Sequence, residues 1–450
     1  MRGFYPTGHT RSGECDDCLF PSLDISRAFS VSQAFDVSPS FKSIIEELFP
    51  QGIQNADGSA DGLVVFPGFC DVHVHFREPG FSYKETVKSG SLAAAAGGYT
   101  AVFAMPNLNP VPDSVENIKR ELEIIERDAV IDVRPYASIT VGEMGGTLSD
   151  FEGLRDLCVA YSDDGRGVSQ DGLMEEAFLR AKALGKILVC HCEDMTLVKG
   201  GYVHDGDYAK RRGHAGICSE SEWKPIERDI GILRRTGGSY HVCHVSCGES
   251  VEIIRQAKRE GLDVTCETAP HYLLLDDGDL EEDGRFKMNP PLRSRRDRLA
   301  LIEGLKDGTV DMIATDHAPH SREEKSRGLK GSAFGIVGLE TAFPLLYTCL
   351  VRENIITLEK LIELMAVNPR RRFGLPLEGA GFTVFDLNER YRIDPDRFLS
   401  MGRATPFEGR EVYGRCLVTA VCGRGTDKRG GGYTAAYRYA GPEDEKRSGG

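Results

Sequence analysis

Short apolar runs, each closing on a polar residue, recur along the middle of the chain at residues 63–76, 100–107, 133–140, 157–164, 187–194, 240–246, 264–271 and 310–317. Between several of them lie stretches with helical spacing, at 83–96, 114–127, 172–184, 250–259 and 295–306. Strands that alternate with helices are joined by crossovers, so the sheet is predicted to be parallel. Eight such units over roughly 250 residues predict a closed (β/α)8 barrel of the TIM type, within the α/β class. Function in that architecture sits at the C-terminal ends of the strands, where the polar residues fall.

Those ends carry His73 and His75, Asn107, Asp163 and Asp164, His191, His244, and Asp316. Side chains alternate faces along a strand, so positions 73 and 75 point the same way and can share one ion. That pair alone says little. Four histidines and two or three carboxylates at one rim say more, because packing gives no reason to gather them. Imidazole with carboxylate suits Zn²⁺ or a similar divalent ion. The set exceeds the three protein ligands of a single catalytic ion, so two ions sharing a carboxylate fit better, with a hydroxide between them as the expected nucleophile. Alternation leaves both Asp163 and Asp164 open as the shared group.

Composition narrows the setting. The 450 residues, 40% of them hydrophobic, suffice for a large barrel core and a second, smaller region. A net charge of −14 argues against nucleic acid as a partner and opposes an anionic substrate at long range. Thirteen cysteines with no secretory h-region ahead of them predict reduced thiols and a cytoplasmic protein, and no apolar run is long enough to span a bilayer. Cys190 and Cys192 are expected as core thiols and His271 as a residue ordering contacts around the site. Cys15 and Cys18 lack a second pair to complete a zinc site. Residues 321–337, with Gly328, Gly331 and Gly335, are expected to form a mobile lid, and residues 41–49 read as a helix.

The motifs also form a recognisable series. Residues 73–80, Met105-Pro106-Asn107, Ser162-Asp163-Asp164-Gly165, His191-Cys192-Glu193-Asp194, residues 241–246, residues 287–293 and Thr315-Asp316-His317-Ala318-Pro319-His320 resemble the bacterial type I dihydroorotases of the amidohydrolase superfamily. The resemblance implies that His73 and His75 hold one metal and His191 and His244 the other. Asp164 would bridge the two where many superfamily relatives use a carboxylated lysine, and Asp316 would be both ligand and proton shuttle. It implies two Zn²⁺ per subunit and a substrate, dihydroorotate or N-carbamoyl-L-aspartate, held by His75, Arg77, Asn107, Asn289, His320, Phe334 and Gly335. A ring carboxylate independently calls for a planar guanidinium, and Arg77 is placed for it.

The implied activity is reversible cyclisation of N-carbamoyl-L-aspartate to L-dihydroorotate in pyrimidine synthesis. Rival readings are another cyclic amidase, of the allantoinase or dihydropyrimidinase kind, and an inactive barrel kept as a binding partner. A homodimer and association with aspartate carbamoyltransferase are the expected assemblies. The implied domains are an atypical N-terminal segment at 1–61 that would join a small β domain, the catalytic barrel at 62–375, C-terminal strands of the small domain at 376–423, and a disordered tail at 424–450. The family's opening strands have no counterpart in the pattern of 1–61, which Pro, Ser and Asp interrupt.

Overall fold

A computed structural model describes residues 29–30, 61–377, 379–422 and 433–439. Two parallel sheets dominate it. One runs β3 (Phe69–Val74), β4 (Tyr99–Ala104), β5 (Asp132–Pro135); the other runs β11 (Met312–Ile313), β10 (Val264–Thr268), β9 (Ser239–Val242), β6 (Ile187–Cys190). Residues 159–162 join them: Ala137 and Leu188 both form parallel bridges with Tyr161. At the other edge Val74 bridges His317 in parallel, and the His75 amide donates to the His317 carbonyl at 2.8 Å. The pairings therefore run through eight parallel segments and return to the first.

Helices follow the strands where the sequence placed them, each started by a side-chain cap or a first-turn acid. Val115–Asp128 begins at Ser114, whose hydroxyl accepts from the Asn117 amide. Arg295–Asp307 begins with a reciprocal Ser294–Asp297 capping box. The longest helix, Glu220–Thr236, was not anticipated. Pro225 reads as a breaker, and it does remove the amide that would bond the Ser221 carbonyl. That carbonyl accepts instead from the Asp194 amide at 2.7 Å, which pins the helix to the chain just past His191. Two further short strands, β7 (Val203–His204) and β8 (Gly216–Ile217), pair in parallel in the excursion between.

Two expectations are corrected. Residues 63–76 are not one strand: β2 (Leu63–Pro67) belongs to a different sheet from β3. The chain turns at Gly68, where a Cβ would lie 2.1 Å from Thr100 Oγ1, so only glycine permits the approach. That other sheet is antiparallel, in the order β1 (Phe29–Ser30), β2, β12 (Phe382–Arg392), β13 (Glu411–Cys422), β14 (Tyr433–Arg438). β1 enters this sheet from residues 1–61, the segment expected to join a small β domain although its pattern shows no strands. β14 lies within the stretch read as a disordered tail: between Gly-rich flanks, five strand-compatible residues precede Arg438 and pair with β13. The expected helix at 41–49 and the Cys15–Cys18 pair lie outside the described residues.

The antiparallel sheet is joined to the starting ends of β3 and β4 by aromatic packing. Phe66, Phe69, Phe343 and Phe385 are buried, with ring centroids 4.3–6.0 Å apart. The opposite ends of the parallel strands are thereby left open for chemistry. No helix among the described residues is long and apolar enough to cross a membrane.

Candidate active site

The strand ends converge on one cluster. His73 Nε2 lies 3.3 Å from Asp164 Oδ1 and 3.5 Å from Asp316 Oδ1, while His75 Nε2 lies 3.1 Å from Asp316 Oδ1 and 3.5 Å from Asp164 Oδ2. On the other side His191 Nδ1 and His244 Nε2 are 2.8 Å apart, each within 3.8 Å of Asp164 Oδ1. Asp164 thus stands between a histidine pair at the end of β3 and a pair that follows β6 and β9. All six side chains are buried. His244 and Asp316 hold positive φ, 32° and 48°, a conformation costing roughly 1–3 kcal/mol that surrounding bonds must offset. At Asp316 those bonds come from the His317 carbonyl and from Asp71, which accepts from the Thr315 and His73 amides.

Neighbouring side chains separate the two adjacent aspartates. Asp163 accepts from the Ile139 and Thr140 amides and from the Thr140 hydroxyl, which turns it toward the loop after β5. Asp164 faces the histidines. Burial pushes its carboxyl up, but the charges of His73 and His75 and the close imidazoles of His73 and His244 outweigh burial and hold it well below the usual range. Asp316 is held low in the same way, against burial, by His73, His75 and His244.

Donor chemistry and orphaned atoms test whether a cation fits. His73 Nε2 and Asp164 Oδ1 are buried without a hydrogen-bond partner, although polar atoms so placed are almost always satisfied. Both belong to one group of three imidazole and carboxylate ligand atoms lying within 4.8 Å of one another, together with His244. His73, His75 and Asp316 form a second. The donors suit a divalent ion of the zinc type.

One residue escaped the sequence reading. Glu267, on β10, accepts from His73 Nδ1 at 2.7 Å and His241 Nε2 at 3.0 Å. Burial pushes its carboxyl up, yet the two imidazoles bring it down to about 2. A carboxylate on the far nitrogen of a metal-facing histidine fixes its tautomer and ring orientation. Its signal was present: a lone acid inside an otherwise apolar and hydroxylated strand.

The substrate candidates line the same opening. Asn107 accepts from His75 Nδ1 at 2.9 Å and donates to Asp164 Oδ2 at 3.2 Å. The Asn289 amide nitrogen donates to both Glu193 oxygens at 3.1 Å, while its own oxygen is buried without a partner. Arg77, at φ 62°, donates to the Pro319 carbonyl, and its Nη2 lies 3.4 Å from His320 Nε2. His320 Nε2 is 2.7 Å from the Phe334 carbonyl, so that nitrogen carries the proton and Nδ1 is free to accept from Lys84 Nζ at 3.3 Å. Gly335 sits at φ 130°, where a Cβ would come within 2.6 Å of the Ala318 carbonyl, so the residue beside Phe334 has to be glycine. His271 is buried, its Nε2 has no partner, and burial pulls its imidazole down to about 4, so it stands neutral beside the cluster. Cys190 and Cys192 are buried thiols, as expected. The stretch 321–337 contains two short helices, Arg322–Lys325 and Gly328–Gly331.

Residues 62–250 match the family described as Dihydro-orotase-like. A curated dihydroorotase of Geobacillus sp. (strain WCH70) is 52% identical over 371 residues, 81% of this chain and 87% of that one. The chain belongs to the dihydroorotase family. A dihydroorotase of Bacillus subtilis (strain 168) is 48% identical over 373 residues, again 81% of this chain and 87% of that one. Among solved structures, the L-hydantoinase (dihydropyrimidinase) of Arthrobacter aurescens matches with a TM-score of 0.71 at 26% identity, covering 79% of this chain and 84% of the other. The D-hydantoinase (dihydropyrimidinase) of a Thermus species matches with 0.69 at 25%, covering 80% and 84%. The fold therefore resembles that of hydantoinases (dihydropyrimidinases), while sequence identity places this chain with the dihydroorotases.

Proposed function

We propose that this dihydroorotase interconverts N-carbamoyl-L-aspartate and L-dihydroorotate, a step of pyrimidine biosynthesis, at a two-metal centre on the open rim of a (β/α)8 barrel. The carrying observation is the placement of a cationic fork, Arg77 with His320 beside it, next to the cluster of four histidines and two aspartates. Dihydroorotate is a cyclic amide bearing a ring carboxylate and so needs both halves of that arrangement; hydantoins and dihydropyrimidines lack the carboxylate. The closed run of eight parallel segments supports the barrel reading.

His73, His75, Asp164 and Asp316 are the residues to hold one divalent ion, and His191, His244 and the shared Asp164 the other. When bound, such ions polarise the amide carbonyl and activate water near neutral pH. Arg77 binds the ring carboxylate through two parallel N–H bonds, with His320 at its edge. The Asn289 oxygen, without a protein partner, accepts from a ring N–H, and Asn107 steadies His75 from behind. Phe334 and Gly335 close the far wall. In hydrolysis the Asp316 carboxylate, kept ionised, takes the proton released by water and delivers it to the leaving ring nitrogen; cyclisation reverses the transfer.

Turnover by purified protein of dihydroorotate, allantoin and dihydrouracil, side by side, tests the reading. Preference for either neutral ring overturns it in favour of the hydantoinase-like activity that the solved structures suggest. Metal analysis is expected to give two zinc ions per chain. The assembly part of the proposal, a homodimer able to take up aspartate carbamoyltransferase, is checked by light scattering with and without that enzyme.

A further inference from the structure

Lys325 is 7% exposed, and no carboxylate lies within ion-pair distance of it among the described residues. Its Nζ donates to three main-chain oxygens instead, those of Lys287 at 3.0 Å, Ala333 at 2.8 Å and Gly335 at 2.7 Å. An ammonium has three N–H groups and here each finds one carbonyl. The three carbonyls come from two separate segments, the one that leads into Asn289 and the one that follows β11. The Gly335 amide bonds the same Lys287 carbonyl at 3.0 Å, so the segments are stitched at a single point. Between Ala333 and Gly335 lies the Phe334 carbonyl, the acceptor for His320 Nε2.

We propose that Lys325 is a positioning residue for the substrate-carboxylate subsite: by gathering these carbonyls it holds the Phe334 oxygen where that oxygen fixes the tautomer and angle of His320 beside Arg77. The proposal rests on reading Arg77 and His320 as the carboxylate's partners. Burying an ammonium among carbonyls alone costs more than burying a methionine of similar volume, so a lysine here marks a requirement for the three bonds rather than for filling. A neutral amine has only two N–H groups and leaves one carbonyl unbonded.

The charge is also finely poised. Burial, and after it the Lys287 ammonium, pull Lys325 down to about 7, against the opposing pull of Asp283 and Glu324. Lys287, Asp283, Glu324 and His320 are the titratable groups around it, and His320 is kept neutral by burial and by the charges of Arg77, Lys84 and Lys325, against the pull of Glu324. Residues 333–335 bring no charged side chain. Protonated Lys325 prevails below about pH 7 and the neutral amine above it, so the stitching loosens as pH rises.

The test compares full-length wild type, Lys325→Met, Arg77→Met and the double variant, all metal-loaded. Lys325→Met is expected to keep its metal content, to hold kcat within about three-fold, and to raise KM for dihydroorotate about ten-fold or more, the loss of one charged hydrogen-bonding site. Wild-type KM should climb between pH 6.5 and 8.5 while the variant's stays high and flat. In the Arg77→Met background the lysine change should add little. A Lys325→Met enzyme with wild-type KM and wild-type pH profile, alongside a raised KM in Arg77→Met, overturns the proposal while sparing the carboxylate reading. An unchanged KM in Arg77→Met removes that reading and this inference with it. Full additivity in the double variant also overturns it, because Lys325 would then act outside the subsite. If Lys325→Met fails to fold, wild type decides alone: cleavage by protease within 321–337 should accelerate from pH 6.5 to 8.5 relative to a denatured control, and an unchanged relative rate overturns the proposal.

Discussion

At the rim of the parallel strands the buried side chains are imidazoles and carboxylates, and three of the residues there, Arg77, His244 and Asp316, hold positive φ. In the antiparallel sheet the buried residues are mostly apolar, among them Phe66, Val384, Phe385 and Val418, and no non-glycine residue in its described strands holds a positive φ. The contrast shows where each kind of free energy resides. Buried charges and left-handed backbones at the rim lower stability, and aromatic packing where the antiparallel sheet meets the parallel strands offsets them. A change at one place should therefore move a different observable from a change at the other.

The largest expected effect is Asp316→Asn. The amide cannot accept a proton, so kcat should fall about 10² to 10⁴-fold in both directions while circular dichroism stays native. Near-normal turnover would take the proton from Asp316 and break the assignment of chemistry to the rim. Next comes Phe385→Ala in the sheet. Removing that ring should cost about 3–5 kcal/mol in urea unfolding, with kcat per folded molecule unchanged. If kcat fell and stability did not, the division of labour would fail.

Arg77→Met should lower kcat/KM for dihydroorotate roughly ten- to 150-fold, the worth of charge-assisted bonds of about 1.5–3 kcal/mol, and leave metal content as it was. Arg77→Lys keeps the charge without the fork and should recover only part of that loss. The smallest expected effect sharpens the boundary between the two regions, because Glu267 lies behind the metal face and has no reacting partner. Glu267→Gln should weaken metal retention against a chelator about ten- to 100-fold. Retention equal to wild type would mean that His73 is oriented by its strand alone.

Much of the rim was legible in the sequence because its residues report directly on geometry. His73 and His75 share a face by alternation, and an ionisable side chain closing an apolar run has few reasons to be there other than chemistry. What distinguished Asp163 from Asp164 was not legible. It depends on whether the Ile139 and Thr140 amides reach the first of them, a contact across 23 and 24 positions of chain. Glu267 was hidden for a similar reason: its partner His73 lies 194 residues away. The helix Glu220–Thr236 was masked by Pro225, whose missing bond is compensated only in three dimensions. β1 and β14 were hidden because two- and six-residue strands carry too little pattern to stand out from Gly, Pro and charged flanks, and only pairing with β2 and β13 defines them.

The bond from the Asp194 amide to the Ser221 carbonyl joins main chain to main chain. It ties off the excursion between β6 and the helix Glu220–Thr236 like a knot at the neck of a bag, and neither end of the knot names a side chain. Changes to the exposed side chains of residues 195–218 therefore leave the tie beside His191 in place, while Val203, Tyr208, Ala209 and Ile217 are buried and anchor the excursion from within. The neck is thus held by backbone alone, and surface substitutions in the excursion do not have to respect the histidine that precedes it.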